Sequence, residues 1–108
     1  MTATISTHVL DAADGTPAVG MAVTIAELDG TRVAAGITND DGRIPEFADV
    51  RLQAGNYRIV FDTGGYFETM GRQGFYPEVT ITFSVAASEH YHVPLLLSPY
   101  AYSTYRGS

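Results

Sequence analysis

Val79-Thr80-Ile81-Thr82-Phe83-Ser84-Val85 is apolar at every odd position and polar at every even one. Successive side chains of a β-strand point to opposite faces, so this run reads as a strand with one face in a core. Tyr57, Ile59 and Phe61 repeat the pattern, with Arg58 facing out. Turn signals separate such runs. Asp29-Gly30 reads as a tight hairpin turn. Asp14-Gly15-Thr16-Pro17, Asn39-Asp40-Asp41-Gly42, Ala54-Gly55-Asn56 and Ser98-Pro99 are the other breaks. About seven or eight short strands at this spacing predict an all-β sandwich. One stretch departs from it: Gly64 to Gly74 lacks alternation and has room for one short helix around Tyr66 to Met70.

The 108 residues are expected to form a single domain, 1–108, with a core that needs no staples. No internal repeat, low-complexity segment or linker interrupts them. Cysteine is absent, which excludes a disulfide framework, a thiolate nucleophile and a cysteine zinc site. The formal net charge is -6, and all 6 cations are arginines. That balance disfavours nucleic-acid binding, which needs a basic patch for phosphates. Without lysine there is no Schiff-base chemistry. The first six residues lack the basic and apolar regions of a signal peptide, and no run is long enough for a membrane span. A cytoplasmic protein is the expectation.

Alternation also assigns faces. In the first strand Ile5 and Val9 enter the core, while Ser6, His8 and Leu10 share the other face. In the late strand Tyr91, Val93, Leu95 and Leu97 fit the core, and His90, His92, Pro94 and Leu96 point away. A face that mixes histidines with Pro94 and Leu96 suits cover by another subunit. Beyond Ser98-Pro99 the alternation continues to the last residue. Ser103 and Tyr105 share one face, and Tyr102, Thr104 and Arg106 the other.

Several groups bear chemistry, and each has a plain structural reading beside the functional one. Single histidines such as His8 commonly serve as hydrogen-bonding surface residues. His90 and His92 stand at i and i+2 on one strand face, a spacing that can ligate a metal, but zinc takes three or four ligands. No cysteine exists and no carboxylate is well spaced beside the pair, so no metal is expected. Asn39-Asp40-Asp41-Gly42 lacks the alternating acidic positions of an EF-hand and reads as a turn. Arg43, just after it, is either a solvated cation or a strand-end residue facing a site. Tyr105-Arg106-Gly107-Ser108 packs a phenol, a guanidinium, a hydroxyl and the final carboxylate into four positions. Those groups could bind and polarise a small polar molecule, or simply follow an edge strand.

The combination resembles a known family. Thr7-His8-Val9-Leu10-Asp11, Gly15-Thr16-Pro17-Ala18, Thr38-Asn39-Asp40-Asp41-Gly42-Arg43, His92-Val93-Pro94-Leu95-Leu96-Leu97-Ser98-Pro99 and Tyr105-Arg106-Gly107-Ser108 together resemble the 5-hydroxyisourate hydrolases, the transthyretin-related enzymes of urate degradation. The Gly-x-Pro and Asp-Gly-Arg elements are shared with other prealbumin-like β domains. His92 with the Leu-Leu-Leu-Ser-Pro run, and the Tyr-Arg-Gly-Ser ending, are the specific elements. Transthyretin shares the stretch seen here as Leu97 to Thr104, but not the two histidines or that ending.

The resemblance implies a prealbumin-like sandwich of two four-stranded sheets with one short helix. It implies a homotetramer, a dimer of dimers, with active sites in the channel between dimers. The implied reaction opens 5-hydroxyisourate at a ring amide bond, giving 2-oxo-4-hydroxy-4-carboxy-5-ureidoimidazoline without a cofactor. The family's functional residues match His8, Arg43, His92, Tyr105, Arg106, Gly107 and Ser108. Water needs a base near neutral pH, and an imidazole with a pKa of about 6.5 qualifies. The implied roles are His92 or His8 as general base, Arg43 and Arg106 as substrate and oxyanion partners, and Ser108 as a hydrogen-bonding orienter. The alternative is a transthyretin-type binding protein that holds a small ligand without catalysis.

Overall fold

Two sheets pack face to face because each supplies one apolar face, the arrangement that period-2 patterning dictates. The computed structural model describes residues 2–47, 50–86 and 88–108. Met1, the first residue of the expected domain span, lies outside them.

One sheet contains β1 (Thr4–Asp11), β2 (Thr16–Pro17), β8 (His90–Ser98) and β9 (Ala101–Thr104), in the order β2-β1-β8-β9. The two-residue β5 (Arg43–Ile44) pairs with β1 off this path. The other sheet has the order β4-β3-β6-β7, from β3 (Ala22–Glu27), β4 (Arg32–Ile37), β6 (Gly55–Phe61) and β7 (Val79–Val85). The Asp29-Gly30 turn joins β3 to β4 as expected, with Gly30 at positive φ. Strands β1 and β8, from the two ends of the chain, pair in parallel.

The inner faces follow the alternation. Ile5, Val9, Leu95 and Leu97 from one sheet, and Val23, Ile25, Ile59 and Phe61 from the other, are fully buried. Burying each such side chain contributes roughly 1.5–3 kcal/mol. Pro94 is buried as well, although it stands on the outer face. It sits on an interior strand, flanked by β1 and β9.

The helix α1 spans Thr63–Thr69, a few residues earlier than expected. Asp62 caps it, accepting the Gly65 N–H at 3.0 Å. Tyr66 and Phe67 anchor its buried side. Seven residues are too few to show a helical period, which is why the sequence located only its centre. No helix among the described residues is long and apolar enough to cross a membrane.

The end of the chain differs from a continued strand. β9 stops at Thr104, is exposed along its length, and Gly107 then bridges back to His92.

Candidate active site

The site forms on the outer face of the β1–β8–β5 sheet, where register brings distant residues side by side. His8 is the cross-strand partner of Arg43, and Ser6 is the partner of His92. His8 also stands opposite Pro94, two positions beyond His92, so both imidazoles share one face.

Local chemistry fixes Arg43. The Asn39 carboxamide oxygen accepts the backbone N–H groups of Asp41 and Arg43, at 2.9 and 3.0 Å. Gly42 has φ +72°, and a Cβ there would lie 2.5 Å from the Val9 carbonyl oxygen. Only glycine lets this turn approach β1 so closely. The Gly42 carbonyl in turn accepts the Val9 N–H at 2.7 Å. The turn thus delivers a guanidinium beside His8.

Gly107 plays the same part at the other end. Its N–H donates to the His92 carbonyl at 2.9 Å. A Cβ on Gly107 would collide with the His92 ring, 3.2 Å from Cγ and nearer still to Cδ2. Its lack of a side chain is what allows the terminal segment to lie against the imidazole, bringing Ser108 into the site.

Ser6, Thr7, Arg43, Pro45, His92 and Ser108 line a cavity of about 270 Å³. Both flanking histidines are held below their ordinary pKa. For His92 the cause is first burial, then the Arg43 guanidinium, then His8 and His90. For His8 it is burial and then Arg43, partly opposed by the Asp41 backbone and carboxylate. Both imidazoles are therefore neutral bases at neutral pH.

Of the residues read from the sequence, Arg43, His92 and Ser108 line one cavity, with His8 on the adjoining strand position. Tyr105 and Arg106 line an adjoining, more apolar cavity with Ile81, Phe83 and Tyr91, and His92 stands between the two cavities. Arg106, expected as a second guanidinium in the site, pairs with Glu89 and stacks 4.5 Å over the Tyr91 ring. β9 ends at Thr104, beyond which strand alternation no longer sets the direction of a side chain. His90, considered above as a metal ligand, has both ring nitrogens bonded to hydroxyls of Thr4 and Ser6.

Ser6 is the residue that sequence reasoning missed. It is nearly buried, and its Oγ lies 2.7 Å from both His90 Nε2 and His92 Nδ1. Its place on the His8 face was legible. Its partner was not, because parallel register between the first and last thirds of a chain leaves no local signal.

A β-sandwich with two imidazoles and a guanidinium on the outer face of one sheet defines the class: a transthyretin-like domain with a polar cavity on that face. Residues 5–107 match the HIUase/Transthyretin family, and the chain belongs to that family. It is 44% identical over 113 residues to the 5-hydroxyisourate hydrolase of Mesorhizobium japonicum, covering 96% of this chain and 91% of the relative. Among solved structures, the 5-hydroxyisourate hydrolase of Klebsiella pneumoniae superposes with a TM-score of 0.91 at 40% identity, covering 98% of this chain and 99% of that one. Sea bream transthyretin in complex with thyroxine gives a TM-score of 0.87 at 33% identity, covering 95% and 93% respectively.

Proposed function

We propose that the chain is a hydrolase that opens 5-hydroxyisourate to 2-oxo-4-hydroxy-4-carboxy-5-ureidoimidazoline. The observation that carries this reading is the shared cavity of Arg43, His92 and Ser108 with His8 beside it, in a chain so similar to named 5-hydroxyisourate hydrolases.

The mechanism follows from the placement of the groups. Ser6 engages His92 Nδ1, which leaves Nε2 for the reacting water. His92 takes the water proton as its oxygen adds to the ring carbonyl, then returns it to the leaving nitrogen. Arg43 offers a planar fork of donors to the flat, oxygen-rich substrate and to the oxyanion. Such fixed donors typically lower a barrier by several kcal/mol. His8, the cross-strand neighbour of Arg43, serves as a second substrate contact. Ser108 orients the substrate by hydrogen bonding, and Tyr105 to Gly107 hold it in place. Every step uses water and side chains of this chain, so EDTA should leave the rate unchanged.

The transthyretin-type alternative, a passive apolar pocket, fits poorly with a cavity bordered by His92 and Arg43. Freshly generated 5-hydroxyisourate separates the readings. Its absorbance should decay rapidly with this protein and at the spontaneous rate with His92→Ala. Decay at the spontaneous rate with the unaltered protein would refute the hydrolase.

Assembly as a dimer of dimers is part of the same proposal. It is supported by the exposed edge strand β9, whose free backbone groups invite pairing, and by Leu96 on the site face. Light scattering should give a tetramer mass at micromolar concentration, and a monomer there would overturn the assembly. Cell fractionation is expected to find the protein in the cytoplasm.

A further inference from the structure

On the site face, β1 and β8 place four polar side chains in a zigzag row. Thr4 stands opposite His90, and Ser6 opposite His92. Thr4 Oγ1 lies 2.6 Å from His90 Nδ1, and His90 Nε2 lies 2.7 Å from Ser6 Oγ. Ser6 Oγ lies 2.7 Å from His92 Nδ1. The row begins at the catalytic cavity. It ends at a second cavity of about 300 Å³, lined by Thr2, Thr4, Arg51, Ser88, Glu89 and His90.

We propose that Ser6 and His90 are positioning residues that fix the tautomer of His92 and take up the positive charge it gains during catalysis. The inference rests on His92 being the general base.

A hydroxyl has one proton, so Ser6 must donate to one imidazole and accept from the other. With Nε2 of His92 unprotonated for the water, its Nδ1–H donates to Ser6 Oγ. The Ser6 O–H then donates to His90 Nε2, and His90 Nδ1–H donates to Thr4 Oγ1. One orientation of the row therefore specifies every tautomer in it.

The charge argument concerns the intermediate. When Nε2 accepts a proton from water, an imidazolium would form beside Arg43 and His8 in a half-buried position. Two short transfers relieve it. The Nδ1 proton moves to Ser6 Oγ as the Ser6 proton moves to His90 Nε2. His92 is again neutral, Ser6 keeps one proton, and His90 becomes the imidazolium. His90 is exposed, and Arg51 and Glu89 line the cavity beside it, with Glu89 also paired to Arg106. Water there solvates the charge that burial would penalise. When His92 Nε2 gives its proton to the leaving nitrogen, both transfers reverse and the row returns to its starting state. No net proton is gained or lost by the row.

The test uses Ser6→Ala, His90→Gln and their double variant, with His92→Ala as the reference. His90→Gln keeps hydrogen bonding but cannot take a proton, and the position is exposed, so it does not threaten folding. We expect each single variant to lower kcat about 10-fold with KM nearly unchanged, and the double to match the weaker single, because the row acts as a unit. In the unaltered enzyme a proton on His90 blocks the relay, as His90→Gln does, and a proton on His92 removes the base. The acid limb of log kcat against pH should therefore fall more steeply at its onset than in His90→Gln. A purely structural role would not change that slope. If His90→Gln keeps the full kcat and slope while His92→Ala is inactive, the charge relay is wrong and the base assignment stands. If His92→Ala itself retains activity, the underlying reading fails.

Discussion

Asp11 and His8 lie on the same strand, and alternation sends one inward and the other outward. Around Asp11, fully buried, every polar demand is met. Its Oδ1 accepts the N–H groups of Ala13 and Asp14 at 3.1 and 3.2 Å. Its Oδ2 accepts from the Tyr66 hydroxyl at 2.9 Å and from Arg72 Nη1 at 3.4 Å, while Arg72 also pairs with Asp14. Burial, and then the bond to Asp11, push the Tyr66 hydroxyl up to about 12, so it remains a donor at any ordinary pH. This cluster ties β1 to α1 and the loop after it. Around His8 the charges are not matched. A guanidinium and imidazoles crowd together, and burial and the Arg43 guanidinium hold His8 and His92 below their ordinary pKa. Balanced charge in the core holds the fold, whereas the unmatched charge on the outer face is what the proposed chemistry would use to meet an anionic substrate and supply a base.

Removing residues 105–108 should break the contrast most sharply. Turnover should disappear, because Ser108 and the Gly107 bond to His92 go with them, while the core ends with β8 and stays intact. Rate assays with far-ultraviolet circular dichroism check both halves. A truncated protein with the original kcat/KM would place the site elsewhere.

Much of this contrast was legible in the sequence, and the illegible part has a common cause. Strict alternation from Val79 to Val85, and the Tyr91, Val93, Leu95, Leu97 series, pointed to the sandwich and the outward histidines. Asp41-Gly42-Arg43 and the terminal Tyr-Arg-Gly-Ser marked further candidates. What alternation cannot give is which strands pair and in what register. Ser6 against His92, and Asp11 against Tyr66 and Arg72, are contacts between residues more than fifty positions apart. Arg106 shows the converse limit: the resemblance implied a place for it in the site, but beyond the end of β9 alternation does not set its direction, and it pairs with Glu89.

Asp11→Ala should show the opposite profile to the truncation. It leaves Tyr66 and Arg72 without their buried partner. Breaking a buried pair costs about 3–5 kcal/mol, and the low end applies because Arg72 keeps Asp14 and is partly solvated. Urea unfolding should report about 3 kcal/mol lost, with the kcat of the remaining folded protein near normal. A large fall in kcat at unchanged stability would mean that the inner cluster also serves the chemistry.

The smallest effect is a dependence of stability on pH. His8 and His92 have folded-state pKa values below the ordinary 6.5, so the unfolded chain binds more protons at these positions as pH falls. Stability rises with pH wherever the unfolded state binds more protons. The two histidines therefore cost nothing above pH 6.5 to 7 and destabilise the fold progressively below it, until pH passes their folded values. Replacing both with alanine should remove that penalty. Thermal midpoints of the double variant and the unaltered protein should nearly coincide at pH 8. At pH 5 the double variant should sit higher by a few degrees. The two proteins differ only at the two site histidines, so the difference between their profiles reports on those positions. A variant whose midpoint falls more steeply than the original toward pH 5 would show that these imidazoles are stabilised as cations, and would undo the account of His92 as a neutral base.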